Sequence, residues 1–146
     1  LPEPDPDWIA AMNPAADKAQ AVENSYTMKV NKRKLENAKS DDTKETLEKT
    51  IREDTQTIGA SVTGSYQNVL AAKASMDPLK AQAQLQEKTM QTTERQYQLG
   101  MIGKLDYLNR KYAYDSAVIQ AQIAKYNLLQ AIQSYEWVLN GLANAS

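Results

Sequence analysis

Residues 95–108 read RQYQLGMIGKLDYL and join two long stretches of helix-forming sequence. Gly100 can adopt the left-handed backbone conformation that ends a helix, so the helix before it should stop there. Gly103 can serve as the N-cap of the next helix, with Asp106 at the third helical position, near the positive end of the helix dipole. Because the connection is short, we expect the helices on its two sides to be antiparallel neighbours.

Upstream of this turn, mostly apolar and small residues recur every seven positions, with some polar residues among them. They form two rows, four residues apart: Ile51, Ile58, Ser65, Ala72, Leu79, Gln86, Thr93 and Thr55, Val62, Val69, Met76, Ala83, Met90, Tyr97. Such spacing predicts coiled-coil packing against a neighbouring helix. The rows stay in phase through Pro78, which favours one long kinked helix over about 43–99. The alternative is that Asp77 caps a separate helix with Pro78 at its first position.

Two shorter helices are predicted beside the long one. Asn13 suits an N-cap and Pro14 a first helical position, so one helix should cover about 14–39. The other should cover about 104–140. Their summed length is close to that of the long helix, so we expect them to pack end to end along it. The sequence therefore predicts an all-α fold, an elongated antiparallel helical bundle or coiled coil.

The last predicted helix is apolar around more of its circumference than an outer helix needs. One face carries Leu105, Leu108, Tyr112, Ile119, Ile123, Tyr126 and Leu129. The other faces carry Tyr107, Tyr114, Val118, Ala121, Leu128, Ile132, Tyr135 and Leu139. Two interpretations explain this wide arc: a central position inside the bundle, or a second packing partner such as another protomer.

The ends of the chain fall outside the helical pattern. Residues 1–12 begin LPEPDPDW, and we expect an extended leader rich in proline and acidic residues. Residues 13–142 are predicted to form a single helical domain, followed by a short tail over 143–146. Such a leader is compatible with the start of a mature exported protein whose signal peptide was removed.

Composition argues against several function classes. The 146 residues carry 17 Lys and Arg against 18 Asp and Glu, a net charge of −1, so nucleic-acid binding is not expected. Without Cys or His, the chain has no thiol nucleophile, no imidazole base and no Cys/His zinc site, and no cofactor motif is present. No apolar stretch has the length of a transmembrane helix. We expect a protein that is not an enzyme, because the sequence lacks any metal-binding or nucleophile constellation. A perturbed carboxylate cluster inside the bundle would favour a helical-bundle enzyme instead.

The turn and the helices around it resemble the TolC-like outer membrane efflux protein family. The segment 95–108 is similar to the family's turn, with a Tyr, then Gly, a short apolar pair, and Asp and Leu two residues apart. Residues 21–26, 65–73 and 115–142 resemble the family's helices in order and spacing. Gly103 departs from the usual serine. The short segment 40–42 stands where the family has two β-barrel strands, so the resemblance covers the α-helical part alone.

The resemblance implies transport rather than catalysis. Family members form trimeric tunnels of efflux pumps and type I secretion systems, and the turn at the tunnel tip meets a periplasmic adaptor (membrane fusion) protein. Carried over to this chain, the tip that would bind the adaptor consists of Leu99, Gly100, Met101, Ile102, Gly103, Leu105 and Asp106. A homotrimer is also implied, in the cell envelope, either periplasmic and outer-membrane associated or extracellular. The alternative is a structural coiled-coil interaction module of the envelope without transport activity.

Overall fold

The computed structural model describes residues 1–142, which form five α-helices. The helices are α1 Pro6–Ala11, α2 Pro14–Asn24, α3 Tyr26–Asn37, α4 Asp41–Gln98 and α5 Lys104–Leu139. None of the described residues forms a strand, so the predicted all-α fold is confirmed. No helix within residues 1–142 combines the length and apolarity needed to cross a bilayer. The predicted tail, 143–146, lies outside the described residues.

The proline-rich start of the chain is not extended throughout. The prediction for residues 1–12 is wrong at Pro6–Ala11, which form helix α1. The Asp5 carboxylate accepts a hydrogen bond from the Asp7 N–H at 2.9 Å and so caps the helix. Pro6 occupies the first turn, where the N–H that proline lacks would have had no partner within the helix. Ile9 is buried, which adds a packing reason for the helix to form.

The helix predicted over 14–39 is interrupted at Ser25. Its backbone is extended there, with φ −63° and ψ 122°, so α2 ends at Asn24 and α3 begins at Tyr26. The Ser25 hydroxyl accepts a hydrogen bond from the Met28 N–H at 3.4 Å and caps α3. The Ser25 N–H donates back to the Ala21 and Val22 carbonyls and closes α2. One residue therefore satisfies the polar groups of two helix ends, and this offsets the loss of helical continuity.

Helix α4 runs without interruption through Pro78, and the interpretation of 43–99 as one helix is confirmed. The alternative, in which Asp77 caps a new helix, is wrong. Asp77 instead accepts from the Lys73 ammonium at 2.6 Å, one turn earlier in the same helix. Ser40 caps the start of α4, since its hydroxyl oxygen accepts from the Thr43 N–H at 3.2 Å.

The chain divides into two compact units, to which α4 and α5 both contribute. We call residues 5–70 and the chain from residue 130 onward the junction unit, because they contain the α2–α3 junction at Ser25. We call residues 1–4 and 71–129 the turn unit, because they contain the turn between α4 and α5.

The junction unit has a core of medium and large side chains. Those at most 8% exposed are Ile9, Ala21, Met28, Ile58, Val62, Val69, Ile132 and Tyr135. The Tyr135 ring packs against Tyr66 with centroids 6.3 Å apart, and its hydroxyl donates to the Asp17 carboxylate of α2. Burial and the hydrogen bond to Asp17 raise the pKa of the Tyr135 hydroxyl above its ordinary value. These contacts hold α2, α4 and α5 together as three packed helices.

The two shorter predicted helices are expected to lie end to end along the long helix. Only α3 lies end to end with α5. Helix α2 lies beside the last turns of α5, because the Asn24 side-chain amide donates to the Leu139 carbonyl at 2.8 Å. Helix α3 begins where α5 ends and pairs with α4, as the hydrogen bond from Asn31 to Asp54 at 3.0 Å indicates. The interruption at Ser25 separates these two environments.

The turn unit pairs α4 with α5 through smaller side chains. Its buried residues are Met76, Thr93, Ala117, Ala124 and Leu128. Two rows predicted for α4 contribute to this interface, since Met76 comes from one and Thr93 from the other. The leader adds an ion-pair cluster: Glu3 contacts the Lys125 ammonium at 2.5 Å and that of Lys80 at 3.5 Å. Both ion pairs lower the pKa of the Glu3 carboxyl, the one with Lys125 more strongly.

Candidate partner-docking turn

The end of α4 is fixed by backbone hydrogen bonds around Gly100. The Met101 N–H donates to the Gln96 carbonyl at 2.8 Å, and the Gly100 N–H donates to the Tyr97 carbonyl at 3.0 Å. These two bonds define a Schellman motif, and Gly100 has the left-handed φ of 70° that the motif requires. The sequence prediction for Gly100 is confirmed. A Cβ atom at this position would meet nothing within 4 Å, so backbone conformation and not space selects glycine.

The start of α5 also agrees with its prediction. The helix begins at Lys104, and the Gly103 carbonyl accepts from the Tyr107 N–H at 3.1 Å, which makes Gly103 the N-cap. Asp106 is then the third helical residue, and its carboxylate lies in the turn where the helix dipole favours negative charge. Gly103 has no positive φ and open space around it, so a serine would fit there.

Two tyrosines join the helices next to the turn. The rings of Tyr97 and Tyr107 are stacked, with centroids 4.4 Å apart and planes inclined by 18°. One turn further, the Arg110 guanidinium donates to the Gln96 side-chain oxygen at 3.2 Å. The sequence places Tyr97 in a heptad row and in the turn segment, and Tyr107 in the apolar arc of the last helix, but it does not predict that their rings stack. Tyr97 lies three residues before Gly100 and Tyr107 lies four residues after Gly103, and these similar distances from the turn are the signal that could have indicated the pairing.

The residues predicted to bind a partner divide into exposed and partly covered groups. Leu99, Met101 and Leu105 are 75%, 69% and 72% exposed, although each has a large apolar side chain. Ile102 is half-buried. Gly100, Gly103 and Asp106 are exposed as well. The turn therefore presents apolar side chains to solvent on a backbone that hydrogen bonds and ring stacking hold in place, as interaction sites commonly do.

The wide apolar arc of α5 is only partly buried. Tyr135 and Leu128 belong to the set that packs inward. The opposite set remains more than half exposed: Leu105, Tyr112, Ile119, Ile123 and Tyr126. Packing inside the chain thus accounts for one part of the arc and leaves a row at seven-residue spacing uncovered. A second packing partner for this row stays a prediction.

Exposed apolar side chains and charged groups lie close together at the turn. Within residues 1–142, no group of three or more His, Cys, Asp or Glu side chains is placed to hold a metal ion. Arg95, Lys104 and Asp106 supply charge near the exposed apolar residues. Such an arrangement can bind an apolar surface and orient it through charged groups at the rim.

No protein-family model, curated protein or solved structure matches this chain.

Proposed function

We propose that this chain is a non-enzymatic component resembling the helical part of outer membrane efflux and type I secretion channels. In this proposal, the turn over 99–106 docks a periplasmic adaptor (membrane fusion) protein. The observation that carries it is the exposure of Leu99, Met101 and Leu105 on a turn whose backbone is fixed. A preorganised turn loses little conformational entropy on binding, so its apolar side chains can contribute most of their burial energy.

The docking mechanism is insertion of apolar side chains between helices of the adaptor. Met101 and Leu105 provide the apolar contact, and Ile102 supports them from a half-buried position. Asp106 and the helix ends provide polar contacts at the rim. The Tyr97–Tyr107 stack holds α4 and α5 at a constant separation, so that the partner meets one arrangement of the turn.

In this proposal the protein is exported to the cell envelope and forms a homotrimer. The exposed row of Tyr112, Ile119 and Tyr126 supports the trimer, because an apolar row at heptad spacing suits helix–helix contact between protomers. Light scattering coupled to size-exclusion chromatography measures this directly. A monomer at micromolar concentration would leave adaptor docking intact but argue against a tunnel.

The second candidate is a structural coiled-coil interaction module of the envelope that binds a partner without transport. The small-residue pairing of α4 with α5 favours it, because the described residues suffice for a paired-helix scaffold without a tunnel. The two candidates differ in a deletion strain. Loss of export of the channel's substrate in this strain supports the first candidate. Normal export in the strain, together with partner binding by the purified protein, supports the second.

The turn assignment is tested by binding of the purified adaptor from the same genome. We expect the double variant Met101→Ser, Leu105→Ser to weaken binding about tenfold or more, since two exposed apolar contacts are lost. The matched control is Leu85→Ser, an exposed leucine of α4 at 63% accessibility in the same unit. Its binding should stay within twofold of the parent.

Gly100→Val provides a harsher test of the same assignment. A β-branched residue is strained at φ 70°, so we expect the turn to lose its structure and adaptor binding to be abolished. Circular dichroism establishes whether the variant remains helical. Normal adaptor binding by a folded Gly100→Val protein would show that the turn is not the docking site.

A further inference from the structure

A second candidate surface lies in the junction unit, between α3 and the start of α4. An open groove of about 780 Å³ runs along this helix pair. Its lining residues are Tyr26, Lys29, Val30, Arg33, Lys34, Asn37, Ala38, Thr43 and Leu47. The apolar floor consists of Val30, Ala38 and Leu47, each half-buried, and Tyr26 stands at one end with 77% of its surface exposed.

The charged rim of the groove has one sign. Lys29, Arg33 and Lys34 line it, and no carboxylate does. Within residues 1–142, none of these three cations forms an ion pair. Cations on a helix face are commonly paired with acidic residues of the neighbouring helix, but here they border an apolar surface. A ligand that fits must therefore combine an apolar face with negative charge along its edge.

The packing inside the junction unit indicates the shape of a ligand that would fit the groove. Further along α4, Ile58, Val62 and Val69 are at most 2% exposed, where α2 and α5 pack against it. Near the groove, Leu47 and Ile51 are only half-buried. Helix α5 ends beside Asn24, just before α3 begins. Among residues 1–142, the third-helix position is therefore filled beside α2 and open beside α3.

The length of the groove suits a helix of about three turns. Its α3 side extends from Tyr26 to Asn37, a rise of about 16 Å at 1.5 Å per residue. A concave surface between two helices accepts a third helix, as in helix-in-groove recognition. A bilayer surface, by contrast, is flat on this scale and would contact exposed cations without filling the groove.

From this geometry we propose that the groove binds an amphipathic helix of a protein partner, with an apolar face about three turns long and acidic residues along its edges. The apolar face covers Val30, Leu47 and Tyr26, and the acidic edge pairs with Lys29, Arg33 and Lys34. The proposal is independent of the turn over 99–106, because the two surfaces share no residue.

The test uses the full chain and a fluorescently labelled 14-residue helical peptide with leucines on one face and glutamates on the flanks. A second peptide carries lysines in place of the glutamates. We expect anisotropy to report micromolar binding of the glutamate peptide, at least tenfold tighter than the lysine peptide, and weaker at high salt. Equal binding of the two peptides, or binding of neither, would overturn the proposal.

Charge reversal locates the site. The double variant Arg33→Glu, Lys34→Glu should weaken binding of the glutamate peptide at least tenfold. Lys32→Glu is the matched control, since Lys32 is an exposed cation of α3 outside the groove, and its effect should be below twofold. Tyr26→Ala should weaken binding about threefold or more without loss of helix content. An equal effect of Lys32→Glu and the groove variants would overturn the assignment.

Two further measurements distinguish the proposed partner helix from other occupants of the groove. If phosphatidylglycerol vesicles bind through Arg33 and Lys34 while the glutamate peptide does not bind, the surface is a membrane contact and the proposal fails. If light scattering shows a dimer that Arg33→Glu, Lys34→Glu dissociates, the groove holds a second copy of this chain and the proposal also fails. Binding of the peptide but not of the vesicles, with an oligomeric state that Arg33→Glu, Lys34→Glu leaves unchanged, supports it.

Discussion

Helices α4 and α5 end in the same backbone motif, but the two ends lie in different surroundings. After α5, the Leu142 N–H donates to the Trp137 carbonyl at 3.0 Å and the Gly141 N–H to the Val138 carbonyl at 3.1 Å. Gly141 has a φ of 84°, against 70° for Gly100 at the end of α4. A Cβ at Gly141 would lie 2.4 Å from the Asn24 carbonyl oxygen, whereas one at Gly100 would meet nothing within 4 Å.

The comparison separates a helix end that local sequence determines from one that packing also constrains. At Gly100 the left-handed conformation is the only requirement, and the residues after it stay exposed. At Gly141 the backbone packs directly on the α2–α3 junction, so the glycine also permits close approach of two chain segments. An exposed turn is free to meet a partner, while a packed helix end contributes to the core of its own unit.

The two units also differ in how completely they bury their large apolar side chains. The junction unit buries Tyr135, Met28 and Ile58 almost completely. The turn unit buries mostly small side chains and leaves large apolar ones outside, among them Leu99, Met101, Leu105, Tyr112 and Ile119. We infer that stability is concentrated in the junction unit, because the side chains it buries are larger.

The largest effect is expected from Gly141→Ala. The added Cβ would clash with backbone atoms of Asn24 and force the left-handed conformation on alanine, so we expect a loss of about 3 kcal/mol in the free energy of unfolding. Urea denaturation followed by circular dichroism measures it. A loss no greater than that of Gly100→Ala would contradict the packing argument, because only the backbone cost would then be present at both glycines.

An intermediate effect is expected from Tyr135→Phe. The substitution removes a hydrogen bond to a carboxylate inside the junction unit and should lower the free energy of unfolding by about 2 kcal/mol. Tyr66→Phe is the matched control, since it retains the ring contact with Tyr135 and leaves the bond to Asp17 intact. If both variants unfold at the same urea concentration, the Asp17 bond contributes nothing specific.

The free energy of unfolding should depend on pH through the ionisation of the Tyr135 hydroxyl. The pKa of Tyr135 is raised in the folded protein, so its stabilising contribution is complete below the unfolded pKa of about 10 and declines as the pH rises above it. The parent should therefore lose stability more steeply between pH 9 and about pH 11 than Tyr135→Phe does. Urea midpoints measured for both proteins across this range provide the test, and parallel curves would contradict it.

The smallest effect in this series is expected from Gly100→Ala. The substitution meets open space but must adopt a left-handed φ, which should cost about 1 kcal/mol. Gly103→Ser is the control, because its φ is ordinary and serine is a good N-cap, so stability should change by less than about 0.5 kcal/mol. Equal losses at the two positions would show that Gly100 has no special backbone role.

Much of the fold follows from the sequence because its signals are local. The heptad rows predict the buried side of α4, where Ile58, Val62 and Val69 are almost fully covered. Their phase through Pro78 predicts one helix, and Gly100 predicts where that helix ends. In each case the determining interactions lie within a few residues along the chain, so residue type and spacing contain the information.

The features that the sequence did not reveal depend on contacts between distant segments. Ser25 interrupts a helical pattern because its buried position lets α2 and α3 pack in different surroundings, and a serine in a helical segment does not signal this by itself. The Tyr97–Tyr107 stack and the packing of Gly141 on Asn24 likewise require the folded pairing of helices. The choice of which α5 face is buried is also tertiary, since both faces are apolar and only contact with α4 distinguishes them. The sequence thus determined α4, α5 and the turn between them, because their signals are local. Tertiary packing decided where the first predicted helix is interrupted, which apolar surfaces are covered and which remain exposed.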